Sequence, residues 1–166
     1  VPEGGAEGVI ATQGGAFGGW GLYAKEGKLK YCYNFIGLDR AYVEAEQPLE
    51  PGERQVRIEF RYDGGGAGKG ADLVLFIEGE EMGQGRTERS IPYLISLDET
   101  LDIGTDAGTP VTDDYPARGN EFNGKIKWVQ IDLEPDEKTA LDLSAAAVQE
   151  GVELLDSFYT PGKERS

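Results

Sequence analysis

Residues 55–78, QVRIEFRYDGGGAGKGADLVLFIE, restrict what this chain can fold into more than any other stretch. Val56, Ile58, Phe60 and Tyr62 alternate with Arg57, Glu59, Arg61 and Asp63, the period-2 pattern of a strand with one face in a core and one in water. After the loop DGGGAGKG, residues 73–77 are continuously apolar, as in a strand covered on both faces or central in its sheet. Glycine takes positive φ without steric cost, so the loop lets the chain reverse between the two runs. The pattern predicts the central hairpin of an antiparallel β-sandwich, with the other strands added around it.

The rest of the chain repeats this texture. Residues 1–7 read as a polar linker remnant and 8–13 as a first strand. The glycine and aromatic segment GGAFGGWG leads into LYAKEGKLKYCYNF, where Lys25-Glu26-Gly27-Lys28 signals a tight turn between two strands. Alternation puts Leu22, Ala24, Leu29, Tyr31, Tyr33 and Phe35 on one face and Lys25, Lys28, Lys30 and Asn34 on the other. Further strands are expected over 40–46, 82–89 and 91–96. Residues 98–115 form a long acidic loop, and the alternation of FNGKIKWVQIDL predicts a last strand over 122–133, with Trp128-Val129 marking a bulge. Glu134-Pro135-Asp136 closes a β-sandwich domain spanning 8–134. From Ala140 the apolar period turns helical, so residues 135–166 are expected as an extension with a marginal C-terminal helix and a disordered end.

Composition narrows the function classes. A chain of 166 residues suits one domain, and 31 acidic against 16 basic residues leave a formal charge of −15. That charge argues against nucleic acid and anionic membrane as partners. The single cysteine, Cys32, excludes an intrachain disulfide, and no apolar run reaches the length of a membrane-spanning helix or a secretory signal. A start at Val1 rather than Met is expected of a processed product or a piece of a longer protein, so the compartment stays open between cytoplasm and periplasm.

Three constellations invite chemistry. The loop at 63–70 imitates a phosphate-binding loop, but Asp63 stands where the first glycine belongs, Gly70 where Ser or Thr belongs, and a strand follows instead of a helix. The acidic loop offers Asp98, Glu99, Asp102, Asp106, Asp113 and Asp114 as oxygen ligands for calcium, with Asp102, Asp106, Asp113 and Asp114 the metal candidates. An EF-hand is excluded, because Gly104 fills the third ligand position, Ala107 the glycine position and Asp113 the place of the bidentate Glu. The competing account has these aspartates capping turns or pairing with Arg118. Trp20, Tyr23, Tyr31, Tyr33, Tyr42 and Trp128 would make a sugar-stacking platform if exposed and a core if not. With no histidine in the chain, Ser-His and Cys-His nucleophilic schemes are excluded, and Cys32 between two tyrosines reads as a buried, inert thiol.

Residues 14–40, 60–80, 98–115 and 122–133, taken in order, resemble the C-terminal portion of large bacterial arylsulfatases, over about three-quarters of the chain. The resemblance implies a non-catalytic, β-rich accessory domain beside a catalytic α/β domain, contributing packing and helping to shape the cleft for a sulfated substrate. The sulfatase chemistry would lie elsewhere in the parent. That family's formylglycine precursor lies in C/S-x-P/A-x-R, whereas Cys32 here is followed by Asn34 in place of Pro or Ala and Ile36 in place of Arg. No catalytic residue carries over. The expectation is therefore an all-β antiparallel sandwich, jelly-roll or concanavalin-like, that is not an enzyme by itself. The alternative is a stand-alone, calcium-dependent carbohydrate-binding module.

Overall fold

The computed structural model describes residues 1–92, 95 and 99–133 of the chain. Two compact units follow one another, Val1–Val129 and Gln130–Ser166. The expected C-terminal helix, the residues from Glu134 on, and half of the strand expected over 91–96 (residues 93, 94 and 96) lie outside the described residues.

The first unit is all-β and antiparallel. Its strands are β1 (Gly8–Gly15), β2 (Gly18–Lys25), β3 (Lys28–Phe35), β4 (Asp39–Pro48), β5 (Val56–Tyr62), β6 (Ala71–Ile77), β7 (Glu80–Thr87) and the short β8 (Leu101–Ile103). They form a five-stranded sheet in the order β4-β3-β2-β1-β8 and a three-stranded sheet in the order β5-β6-β7. The β5–β6 hairpin forms as expected, in the register Val56↔Ile77 to Tyr62↔Ala71, but it is not central. β5 is an edge strand of the smaller sheet, and most strands gather around β2 and β3 instead.

Turn chemistry explains the meander. Glu26-Gly27 and Glu78-Gly79 both sit at positive φ, the two-residue geometry whose twist matches that of paired strands. Leu22, Ala24, Leu29, Tyr31 and Tyr33 of the large sheet pack with Leu73 and Leu75 of the small one in the main core. Burying each leucine contributes about 1.5–3 kcal/mol before conformational entropy is counted. At one corner the sheets meet backbone to backbone. A Cβ on Gly83 would lie 2.5 Å from the Glu44 carbonyl and one on Gly85 2.8 Å from that of Tyr42, so only glycine lets β7 cross β4 so closely.

β6 is covered on both faces, by different partners. Leu73 and Leu75 face the core, while on the other side the Arg57 guanidinium lies 4.2 Å and that of Arg61 6.0 Å from the centre of the Phe76 ring. Arginine stems thus stand in for a third layer.

Two further expectations need correction. The alternation at 122–133 makes no strand among the described residues: beyond a single parallel bridge between Val9 and Glu121, no ladder partner is present. Ile126 still packs against the core, but Trp128 and Leu133 are 62% and 87% exposed. In the second unit, the Gln130 amide donates to both carboxylate oxygens of Asp132, at 2.9 and 3.0 Å. The other correction concerns residues 1–7. The Val1 amine donates to the Gly52 carbonyl at 2.8 Å, the Gly52 N–H returns a bond to the Val1 carbonyl, and Ala6 is buried in the core, so this stretch is packed.

Candidate functional site

The far face of the large sheet, to which alternation assigns Asn34 and the lysines, is largely roofed by the segment from Gly104 to Glu121. Val9, Tyr23 and Cys32 form a second, smaller core there with Val111 and Tyr115. Burial pushes the Cys32 thiol up to about 11, so it stays protonated and inert at neutral pH.

The roof is fastened by hydrogen bonds, and Asn34 is their hub. Fully buried, its amide nitrogen shares two N–H groups among the carbonyls of Gly15, Ala16 and Val111 at 3.0, 3.1 and 3.1 Å, while its oxygen accepts the Gly37 N–H at 2.9 Å. One side chain thereby joins the β1–β2 turn, the β3–β4 turn and the acidic loop. Beside it, the Thr109 hydroxyl accepts the Ala16 N–H at 2.9 Å and donates to Glu99 at 2.6 Å.

The candidate metal ligands are dispersed among these contacts. Asp102 accepts the Ala107 N–H at 2.9 Å. Asp106 is buried and accepts the Tyr115 hydroxyl at 2.7 Å and the Val111 N–H at 3.2 Å. Burial raises its carboxyl above the ordinary value, outweighing the two donors. Asp113 pairs with Arg40 at 3.3 Å and points into solvent. Asp114 takes the Tyr23 hydroxyl at 2.6 Å, Lys30 at 2.7 Å and Lys25 at 3.4 Å. Partial burial works against its charge, but Lys30 and Tyr23 win and hold the carboxyl below its usual value. The Tyr23 phenol is correspondingly raised, by desolvation first and by Asp114 second. No three carboxylates or thiols converge as a cation-binding set among the described residues; Asp98 lies outside them. The cations that meet these aspartates are Arg40, Lys25 and Lys30, where the sequence pointed to Arg118.

The aromatic residues also disperse. Tyr23, Tyr31 and Tyr33 are core, Trp20 is half-buried with its indole N–H donating to Gln13 at 3.1 Å, and Tyr42 shares a hydrogen bond of 2.9 Å with Thr112. A shallow cleft of about 90 Å³ opens between Tyr23, Lys25, Asp114, Tyr115 and Asn120. It has room for a few water molecules and is far below the size of a glycan site. At residues 63–70, Asp63 is held by Arg86 at 2.7 Å and closes the loop through a 3.0 Å bond from its N–H to the Gly70 carbonyl, a turn between strands.

Sequence reasoning missed the hub. Its signal was present in YCYNF, where both faces of a strand carry large or apolar groups, which announces a second covered face ahead of the turn at Ile36-Gly37. Three comparisons, against family models, curated proteins and solved structures, find no match to this chain.

Proposed function

We propose that this chain is a non-catalytic accessory domain of an arylsulfatase, seated beside a catalytic α/β domain that carries the formylglycine chemistry in the same polypeptide. The resemblance in residues 14–40, 60–80, 98–115 and 122–133 supplies the reading. The observation that carries it is how the residues of those motifs are employed. Asn34, Asp106, Thr109, Asp114 and Tyr115 bond to one another's loops and strands, so their polar atoms hold the fold rather than face a substrate. A rigid scaffold is what an accessory domain has to supply.

The test is the intact mass of the native gene product that contains this sequence, with peptide sequencing of whatever precedes Val1. A larger polypeptide with C/S-x-P/A-x-R upstream and arylsulfatase activity supports the proposal; a free product near 18 kDa overturns it. Turnover of an aryl sulfate by the purified 166-residue chain, surviving removal of contaminants, would equally sink it. If chelation lowered the melting temperature of the chain and calcium restored it, the carbohydrate-module reading would gain instead.

A further inference from the structure

At one end of the large sheet, two turns present apolar side chains to water. Phe17, in the β1–β2 turn, is 85% exposed; Leu38 and Ile36, in the β3–β4 turn, are 76% and 44% exposed. The turns abut, since a Cβ on Gly37 would lie 3.0 Å from the Ala16 carbonyl and one on Gly18 3.5 Å from the Ile36 Cα. They are also locked together, because Asn34 donates to the Ala16 carbonyl and accepts the Gly37 N–H, and Thr109 accepts the Ala16 N–H. Ile36 holds φ at +46°, a conformation that disfavours β-branched side chains, so the sequence keeps an exposed apolar group where Asn or Gly would fit better.

We infer that the Phe17–Ile36–Leu38 tip is the plug by which this domain seats in an apolar recess of the catalytic domain in the same polypeptide; this rests on the accessory-domain reading. Area selects the occupant. Three such side chains bury on the order of 400 Å² on docking, about half of the ~800 Å² per partner that a stable interface between free proteins needs. A second copy of the chain is therefore a poor occupant. A tethered neighbour is a good one, because the linker supplies a high effective concentration and the pre-set turns cost little ordering entropy. Charge points the same way. The chain carries −15 overall, and although Arg40, paired with Asp113, and Arg89, over the Phe35 ring, lie at this end, the net charge would repel an anionic lipid surface and would not oppose a recess with neutral or cationic walls.

The experiment uses the full-length native gene product. Phe17→Cys is labelled with a benzophenone maleimide, which Cys32 does not intercept because it is fully buried. The control is Glu50→Cys, placed at the opposite end of β2 and β3 by the bond from the Leu49 N–H to the Gly27 carbonyl. Irradiation should link position 17, and not position 50, to a peptide of the catalytic domain within one polypeptide. Phe17→Ser with Leu38→Ser should then speed proteolysis between the domains at least tenfold while leaving the melting temperature of the isolated 166-residue chain unchanged or raised. A catalytic domain that is present but never linked to position 17, or links found only between two polypeptides, overturns the inference and leaves the accessory-domain reading standing. A gene product with no catalytic domain overturns both.

Discussion

The two faces of the large sheet are buried by opposite means. On the inner face, leucines and tyrosines meet Leu73 and Leu75 of the second sheet, and the contact is apolar and non-directional. On the outer face, a loop with little regular structure of its own is held down by Asn34, Asp106, Asn120 and Tyr115 through directed hydrogen bonds, around a nucleus of only five side chains. Hydrophobic burial tolerates exchange of one apolar group for another of like volume, whereas a buried polar clip leaves orphaned donors and acceptors when one member goes. The faces should therefore fail differently.

The largest effect is expected inside. Leu75→Ala removes a fully buried side chain and should cost about 3–4 kcal/mol, read by denaturant unfolding, with amide exchange accelerated across both sheets. Asn34→Ala on the outer face should cost about 2–3 kcal/mol, because water reaches some of the carbonyls it abandons. Its exchange should accelerate first in residues 104–121 and in the two turns it ties, with the inner strands protected until global unfolding. Uniform acceleration in Asn34→Ala would show that the roof and the sandwich are one cooperative unit and erase the distinction between the faces.

This contrast also decides what the sequence discloses. The inner face follows period 2, so Leu22, Ala24, Leu29, Tyr31 and Tyr33 can be assigned to a core from spacing alone, and Glu26-Gly27 announces its own turn. The outer face follows no period, because its cover is irregular chain from 70 or more residues downstream: Asn34 reaches Val111 and Tyr23 reaches Asp114. Alternation places Asn34 and Lys30 on the second face and YCYNF announces that this face is covered, but nothing local encodes which distant segment covers it. The acids of the loop were equally ambiguous. Donors from the backbone, tyrosines and lysines engage Asp102, Asp106 and Asp114, and which donors arrive is a matter of tertiary placement. At 122–133 the reverse occurs, since a pattern fit for a strand finds no neighbouring ladder among the described residues, and alternation without a partner does not make a sheet.

A middle-sized effect should separate the faces by pH. The folded carboxyl of Asp114 lies below its unfolded value, so its contribution to stability is fully present above the unfolded value, about 3.9, and is lost as pH falls below it. Asp106 has the opposite sign: its folded value is raised, so its charge costs stability at neutral pH and the cost fades on acidification. Asp114→Asn should cost about 1 kcal/mol at pH 7, the pair with Lys30 being partly solvent-screened, and should flatten the fall of melting temperature between about pH 4 and 3. Leu75→Ala should shift that curve down without changing its shape. An acid limb that stays as steep in Asp114→Asn as in the parent chain would mean that the outer-face ion pair does not couple folding to pH.

The smallest effect should be a gain. Ile36 sits at φ +46° beside Gly37, where the turn asks for Asn-Gly, and its side chain is half in water, so Ile36→Asn relieves strain while giving up little burial. Stability of the 166-residue chain should rise by about 0.5–1 kcal/mol, visible as a higher denaturant midpoint at unchanged slope. The hub beneath is untouched, because the bond from the Gly37 N–H to Asn34 involves only backbone at the turn. The same substitution removes one of three apolar groups from the tip, so in the full-length gene product it should loosen the seating of this domain even as it stabilises the domain itself. Opposite signs in the two contexts would mean that the strain at Ile36 is kept for an interface; a gain in both would leave Phe17 and Leu38 to carry the contact alone.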